Sequence, residues 1–270
     1  MAHDDVDRIT KIVNRSGFPL QMGVASLIAR TEQDHHCNVL YTEHSWKSAD
    51  DDDGGFIDLV VELPHARYVF VVECKRVLES SWIFLRPTGG ASLRRQAKLW
   101  VTEYATGRRA FNGFGWQDCA LEPETPESNF CVIDGQDDKA RPMLERVAGD
   151  LVAATEAFAK EDAKRLAPGR HTAYASVIVT TAKLKVATFD AATVSMVDGK
   201  VNALNCEDVP FLRFRKQLST AHADLDNGFV GFSGLPPNIG RAKERSVFIV
   251  NSESLINFLA AFEVDGWATR

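Results

Sequence analysis

Phe56-Ile57-Asp58-Leu59-Val60-Val61-Glu62-Leu63, a turn at Pro64-His65-Ala66-Arg67, then Tyr68-Val69-Phe70-Val71-Val72-Glu73-Cys74-Lys75: the fold of this chain turns on this stretch. Both arms are rich in Val, Ile and Phe, the composition of β-strands, and the turn between them is short. A two-residue and a four-residue loop are equally compatible with it, and both centre the hairpin between His65 and Ala66. Asp58 then stands opposite Glu73, and directly opposed β-carbons lie about 4.5–5.5 Å apart. Lys75 is two residues beyond Glu73, so it leaves the strand on the same face.

Two acids and a lysine in an apolar hairpin require partners, because an isolated buried charge is costly. Carboxylates this close repel unless a cation or proton lies between them. A hard divalent cation with oxygen ligands meets that need. With the lysine beside it, such a cation forms a site suited to cleaving phosphodiesters. The competing reading is a cross-strand salt bridge on a solvated face, and a bare Glu-x-Lys taken alone favours that reading.

Outward from the hairpin, helical spacing of Val6, Ile9, Ile12 and Val13 predicts a helix from about Asp5 to Ser16. Pro19 opens a second helix with Leu20, Val24, Leu27 and Ile28 on one face. A short strand is expected at Asn38–Thr42. The run Asp50-Asp51-Asp52-Asp53-Gly54-Gly55 reads as a solvated turn. A helix is expected over Ser92–Thr106, an irregular excursion over 107–138, and a long helix from Arg141 to Leu166. Strands follow at Ala175–Thr181 and Leu184–Phe189, with a hairpin through Asp198-Gly199 and a strand at Ser246–Val250. Ser252 is expected to cap a last helix carrying Leu255, Ile256, Leu259 and Phe262. The pattern predicts one α/β domain over residues 1–270, a mixed β-sheet flanked by helices. Its motif-bearing core covers about 17–106, and about 141–265 supply the second half of sheet and helices. Two lobes divided near Pro168 are the alternative.

At 270 residues, 45% hydrophobic and 25% charged, the chain has the composition of an ordinary globular protein. The acidic start Met1-Ala2-His3-Asp4-Asp5 lacks the features of a signal peptide, and no apolar run is long enough for a membrane span. A cytoplasmic location with no membrane association is the expectation. Five cysteines without any Cys-x-x-Cys spacing read as free thiols, not a zinc site or a disulfide frame. A net charge of -6 opposes tight nonspecific binding to nucleic acid.

Gly55-Phe56-Ile57-Asp58-Leu59-Val60 followed by Val71-Val72-Glu73-Cys74-Lys75-Arg76 resembles the PD-(D/E)xK phosphodiesterase superfamily, its restriction-endonuclease-like and Mrr-like members in particular. The resemblance covers roughly Gly17 to Tyr104. It implies a restriction-endonuclease-like sheet flanked by helices and a metal-dependent endonuclease acting on DNA, with RNA as an alternative substrate. It implies catalytic roles for Asp58, Glu73, Lys75 and, on a helix after the motif strand, Gln96. Asp58, Glu73 and the backbone carbonyl of Cys74 would hold Mg2+, or Mn2+ in its place. Ser16-Gly17-Phe18-Pro19-Leu20-Gln21 is similar to the start of the family's first core helix. Gln21 stands where many members carry glutamate; it can coordinate only through a neutral oxygen, which favours a single ion. Ile57 likewise replaces the proline of the motif.

Arg76, Arg94, Arg95 and Lys98 are candidates to track a phosphate backbone, although a solvated helix face explains them nearly as well. Val177–Ala182 and Phe211–Lys216 are similar to segments of uncharacterised restriction-like proteins of bacterial defence loci. A role in defence against foreign DNA, with a homodimer or a defence partner protein, follows from that resemblance. The second functional class is a catalytically inert nuclease-like fold that binds nucleic acid or protein. Gln21 and the acidic balance favour it.

Overall fold

The structure, a computed structural model, describes residues 2–47, 54–65, 67–89, 96–103, 111–135, 143–165, 171–218 and 243–264. Two helices, α1 (Ala2–Arg15) and α2 (Phe18–Arg30), and a single turn, α3 (Glu32–His35), lead into a strand-rich body. His36 ends α3 in the left-handed region at φ 58°. The hairpin follows: β1 (Asn38–Lys47), β2 (Gly54–Leu63) and β3 (Tyr68–Lys75) run antiparallel. Its register runs from Leu63 opposite Tyr68 to Leu59 opposite Val72, which is centred between His65 and Ala66.

β3 then pairs in parallel with β9 (His171–Thr180), which pairs in parallel with β13 (Glu244–Asn251). β12 (Phe211–Gln217) and β7 (Glu127–Ser128) complete that side. The early end of β9 also pairs with β5 (Gln96–Glu103), which forms a hairpin with β6 (Phe111–Ala120). β14 (Glu263–Val264) closes on β6. Ten described strands thus share one mixed sheet. A second sheet of four comprises β4 (Ser81–Pro87), β8 (Phe130–Ile133), β10 (Lys183–Phe189) and β11 (Asn205–Asp208). The expected mixed sheet flanked by helices is present.

Each face of the large sheet has its own core. On one side Leu59, Val61, Phe70 and Val72 pack with Val24 and Ile28 of α2 and with the last helix, α5 (Leu255–Ala261). On the other, Val60, Val69 and Val71 pack with Leu144, Leu151 and Phe158 of α4 (Met143–Asp162) and with Trp82 and Phe84 of the small sheet. The central strands are apolar on both faces because both faces are covered, as parallel strands require.

Several sequence expectations are corrected. The helix expected over Ser92–Thr106 is the strand β5 where the chain is described, because Ala97 and Leu99 fill one core and Trp100 the other. That alternation has period two, whereas Leu93, Leu99 and Trp100 are spaced so as to read as the anchors of a helix. The expected irregular stretch 107–138 contains β6, β7 and β8. Asp198-Gly199 does form a turn, with Gly199 at φ 70°, but no strands flank it. The last helical segment is capped by Asn251, whose side chain accepts from the Glu253 N–H, and not by Ser252.

Phe258 of α5 is fully buried and lies within 6.0 Å, centroid to centroid, of Phe70, Phe211, Phe248 and Phe262. Phe258→Ala leaves a cavity among four rings and is expected to destabilise the fold by about 3–5 kcal/mol. Urea denaturation followed by circular dichroism measures this; a loss of under about 1 kcal/mol would show that the rings close around the gap.

Candidate active site

The site begins with a break in strand alternation. Residues on one face of a strand are normally two or four apart. On β1, however, Tyr41 and His44 both face α4, their rings 6.1 and 5.2 Å from that of Phe158. On β2, Ile57 and Val60 both belong to the α4-side core, while Leu59 and Val61 lie in the opposite one. The two irregularities are in register, with Tyr41 opposite Val60 and His44 opposite Ile57. Glu43, between them, takes φ 53°, a left-handed conformation uncommon for a residue with a side chain. β1 and β2 are therefore kinked together, and Glu43 and Asp58 occupy the kink.

The kink releases Asp58 from regular pairing. The antiparallel ladder between β2 and β3 ends at Leu59 and Val72, and a further pair would join Ile57 to Cys74. Instead, the Asp58 side chain reaches across, and its Oδ2 accepts from the Cys74 N–H at 2.7 Å. A carboxylate thus replaces a main-chain carbonyl at the end of the ladder. The Cys74 carbonyl points to the same side, since a strand residue directs its N–H and C=O the same way. Glu73 and Lys75 alternate with Cys74 and face α4; their Oε1 and Nζ are 2.9 Å apart. Asp58, Glu73, Lys75 and the Cys74 backbone therefore converge at the strand ends.

Gln21 occupies the other side of the kink. Buried on α2, it donates from one amide nitrogen to Glu43 Oε1 at 2.5 Å and to the Asp58 carbonyl at 3.0 Å. Both partners accept, so the amide nitrogen, not the oxygen, faces the acids. Gln21 braces the bent main chain as a donor. Glu43 was missed by sequence reading because the kink removes the alternation that would have marked it.

Burial, followed by the charges of Glu73 and Glu43, pushes the Asp58 carboxyl from its ordinary 3.8 up to about 6, against the Cys74 N–H and Lys75. The Cys74 thiol is pushed far above its usual range, chiefly by burial. It serves as core packing and not as a nucleophile. Among the described residues, no group of three or more His, Cys, Asp and Glu side chains could hold a metal ion. A cation would rest here on two carboxylates and main-chain oxygen. Magnesium tolerates so few protein ligands because it keeps much of its water.

No family model, curated protein or solved structure matches the chain. Among the described residues no helix is long and apolar enough to cross a membrane.

Glu73 and Lys75 open into a cleft of about 430 Å³ between α4 and the ends of β1 and β2. Small residues line part of it. Gly54 and Gly55 line the strand wall, and Ala153 and Ala154 the helix wall. A β-carbon on Gly54 would come within 2.8 Å of the Trp46 carbonyl oxygen, so β1 and β2 can approach there only with glycine. The pair expected to be part of a solvated turn is thus a wall of the cleft. Trp46, Arg146 and Asp150 also line it, and sequence reading did not single them out.

The remaining expected site residues lie elsewhere. Gln96 is on a strand, not a helix; it is exposed and paired across β6 with Asp118. Lys98 is buried, with its ammonium 5.6 Å from the Trp116 ring centre, a position unlike that of a solvated phosphate contact. Arg76 follows β3 directly and is partly exposed. Arg94 and Arg95 lie outside the described residues.

The raised Asp58 pKa sets a pH dependence. Above about 6 the carboxylate is charged in both folded and unfolded chains, and the folded state bears the full penalty. Between 6 and 3.8 the folded chain takes up the proton first, and below 3.8 the difference is gone. Asp58→Asn, whose amide oxygen can still accept from Cys74, is expected to stabilise the metal-free protein at pH 7.5. The gain is on the order of 2 kcal/mol after discounting for partial exposure. It should shrink as pH falls through 6. Thermal melts across that range test this; a gain independent of pH would place its origin outside the carboxyl group.

Proposed function

We propose that this chain is a metal-dependent phosphodiesterase of the PD-(D/E)xK type, an endonuclease acting on nucleic acid. One observation carries the reading: the Asp58 carboxylate ends the β2–β3 ladder at Cys74, between Glu73 and Lys75, the ion pair that lines a cleft. A salt bridge needed only for stability gives no reason to bend two strands and hold a third acid, Glu43, nearby. A raised carboxyl pKa beside a second carboxylate is what a site built for a cation has before the cation binds.

Asp58, Glu73 and the Cys74 carbonyl would hold the ion. When bound, a divalent cation neutralises charge on the phosphodiester and acidifies water. The protein's own contribution is orientation and charge. The Cys74 N–H fixes one oxygen of Asp58 and leaves the other free to turn outward. Lys75, held by Glu73 on the cleft side, sets a positive charge where negative charge grows on the phosphoryl oxygens. Gln21 holds the kink without adding another negative charge, consistent with one ion and not two. DNA is the proposed substrate, in a defence role, and RNA the alternative.

An inert nuclease-like fold that binds nucleic acid or protein is the second reading. It is favoured by the lack of a three-ligand group among the described residues and by the Glu73–Lys75 ion pair. Incubation of plasmid DNA and of RNA with Mg2+ or Mn2+ separates the two. Cleavage by the wild type is expected, with Lys75→Ala losing about a hundredfold or more, as for loss of one charge-stabilising donor. Mg2+ should raise the Tm of the wild type and not that of Asp58→Asn. If the wild type cleaves neither polymer with any divalent metal, the enzyme reading fails.

A further inference from the structure

The cleft beside Glu73 and Lys75 is small. Glu73 and Lys75 lie on the walls of a cleft of about 430 Å³, with α4 on one side and the strand ends on the other. That volume is near the lower end of ligand pockets, roughly 300–1,000 Å³, and suits one nucleotide unit. A duplex carries its phosphates on a broad convex surface and keeps its bases stacked inside. It cannot place a scissile phosphate within such a cleft unless a nucleotide leaves the helix. Two features of the walls match the parts of a nucleotide. Trp46 faces α4 from β1, packs against that core and stays partly exposed, offering an aromatic surface for a base. Arg146, on the first turns of α4, is exposed on the cleft and forms no ion pair among the described residues. A guanidinium with no ion pair among the described residues, on the same cleft as Glu73 and Lys75, suits a phosphate of a bound strand. The glycines and alanines between them supply the room.

We infer that the cleft binds one nucleotide of an unpaired strand, its base on Trp46 and a phosphate on Arg146, so that the substrate is single-stranded or locally unpaired nucleic acid. This rests on the phosphodiesterase reading and deepens it.

Two measurements test it, one of which is independent of cleavage. Thymidine 3′,5′-bisphosphate titrated into the protein with Ca2+ is expected to quench tryptophan fluorescence. Trp46→Leu should abolish the change, and Arg146→Ala should weaken binding about tenfold, a typical loss for one phosphate contact. Absence of quenching in the folded wild type overturns the inference whether or not the protein is active. Cleavage with Mg2+ is then compared on a single strand, the matched duplex and a duplex with one bulged base, each as DNA and as RNA. The single strand and the bulge are expected to be cut, and the matched duplex at least about tenfold more slowly. Arg146→Ala, an exposed helix substitution, should raise KM more than it lowers kcat. Cleavage of matched duplex as fast as single strand overturns the inference and leaves the phosphodiesterase reading standing. Quenching without cleavage of any substrate supports the nucleotide cleft and overturns the catalytic reading.

Discussion

The arrangement of the site depends on one hydrogen bond, from the Cys74 N–H to the Asp58 carboxylate. A main-chain N–H at the end of a ladder needs an acceptor, and the ordinary acceptor would be the next carbonyl of the neighbouring strand. Here a side chain takes that role. Because the bond is charge-assisted, it is stronger than the main-chain bond it replaces and fixes the carboxylate in direction as well as in place. The β2–β3 pairing stops at Leu59 and Val72, and this side-chain bond follows it.

The kink comes at a cost. Glu43 is held in a left-handed conformation, and the buried Asp58 carboxylate feels the charges of both Glu73 and Glu43. The fold sustains this because both faces of the hairpin are packed. Val24 and Ile28 of α2 close one side, and Leu151 and Phe158 of α4 the other. Gln21 and His44 extend that support into the polar zone: Gln21 bridges Glu43 and the Asp58 carbonyl, and His44 meets Glu161 of α4 at 3.3 Å. Strain held in place by surrounding packing is common where a fold carries chemistry. Of the two bracing helices, α4 also forms a wall of the cleft, so its contacts bear on both stability and access.

α4 has a double role for a related reason. Its buried stripe, including Leu144, Leu151, Val152 and Phe158, anchors it across the sheet. Four and seven residues on from Arg146, Asp150 and Ala153 lie along the exposed flank and line the cleft beside the strand ends. A helix pinned along one stripe holds its neighbouring face at a fixed height, which makes the spacing between Arg146 and the β3 pair a property of the core. Removal of core volume under α4 would therefore be felt at the site without touching it.

The sequence by itself determined the hairpin, its register from Leu63–Tyr68 to Leu59–Val72, and the shared face of Glu73 and Lys75. These depend on local pattern: alternation, a short turn and residue spacing measured along a few amino acids. It also determined the two-sided burial of β3, written in the unbroken run from Tyr68 to Val72. Only the tertiary structure decided that Gln96 lies on a strand, since the β5 segment reads as helix until its two faces meet two different cores. It alone brought in Glu43, hidden by the kink, and Arg146, 73 residues beyond Glu73 in the chain. It also turned Gly54-Gly55 from punctuation into a wall. A residue's backbone preference is set by its near neighbours, but the space in front of it is set by chain segments far away, and that space is what a substrate meets.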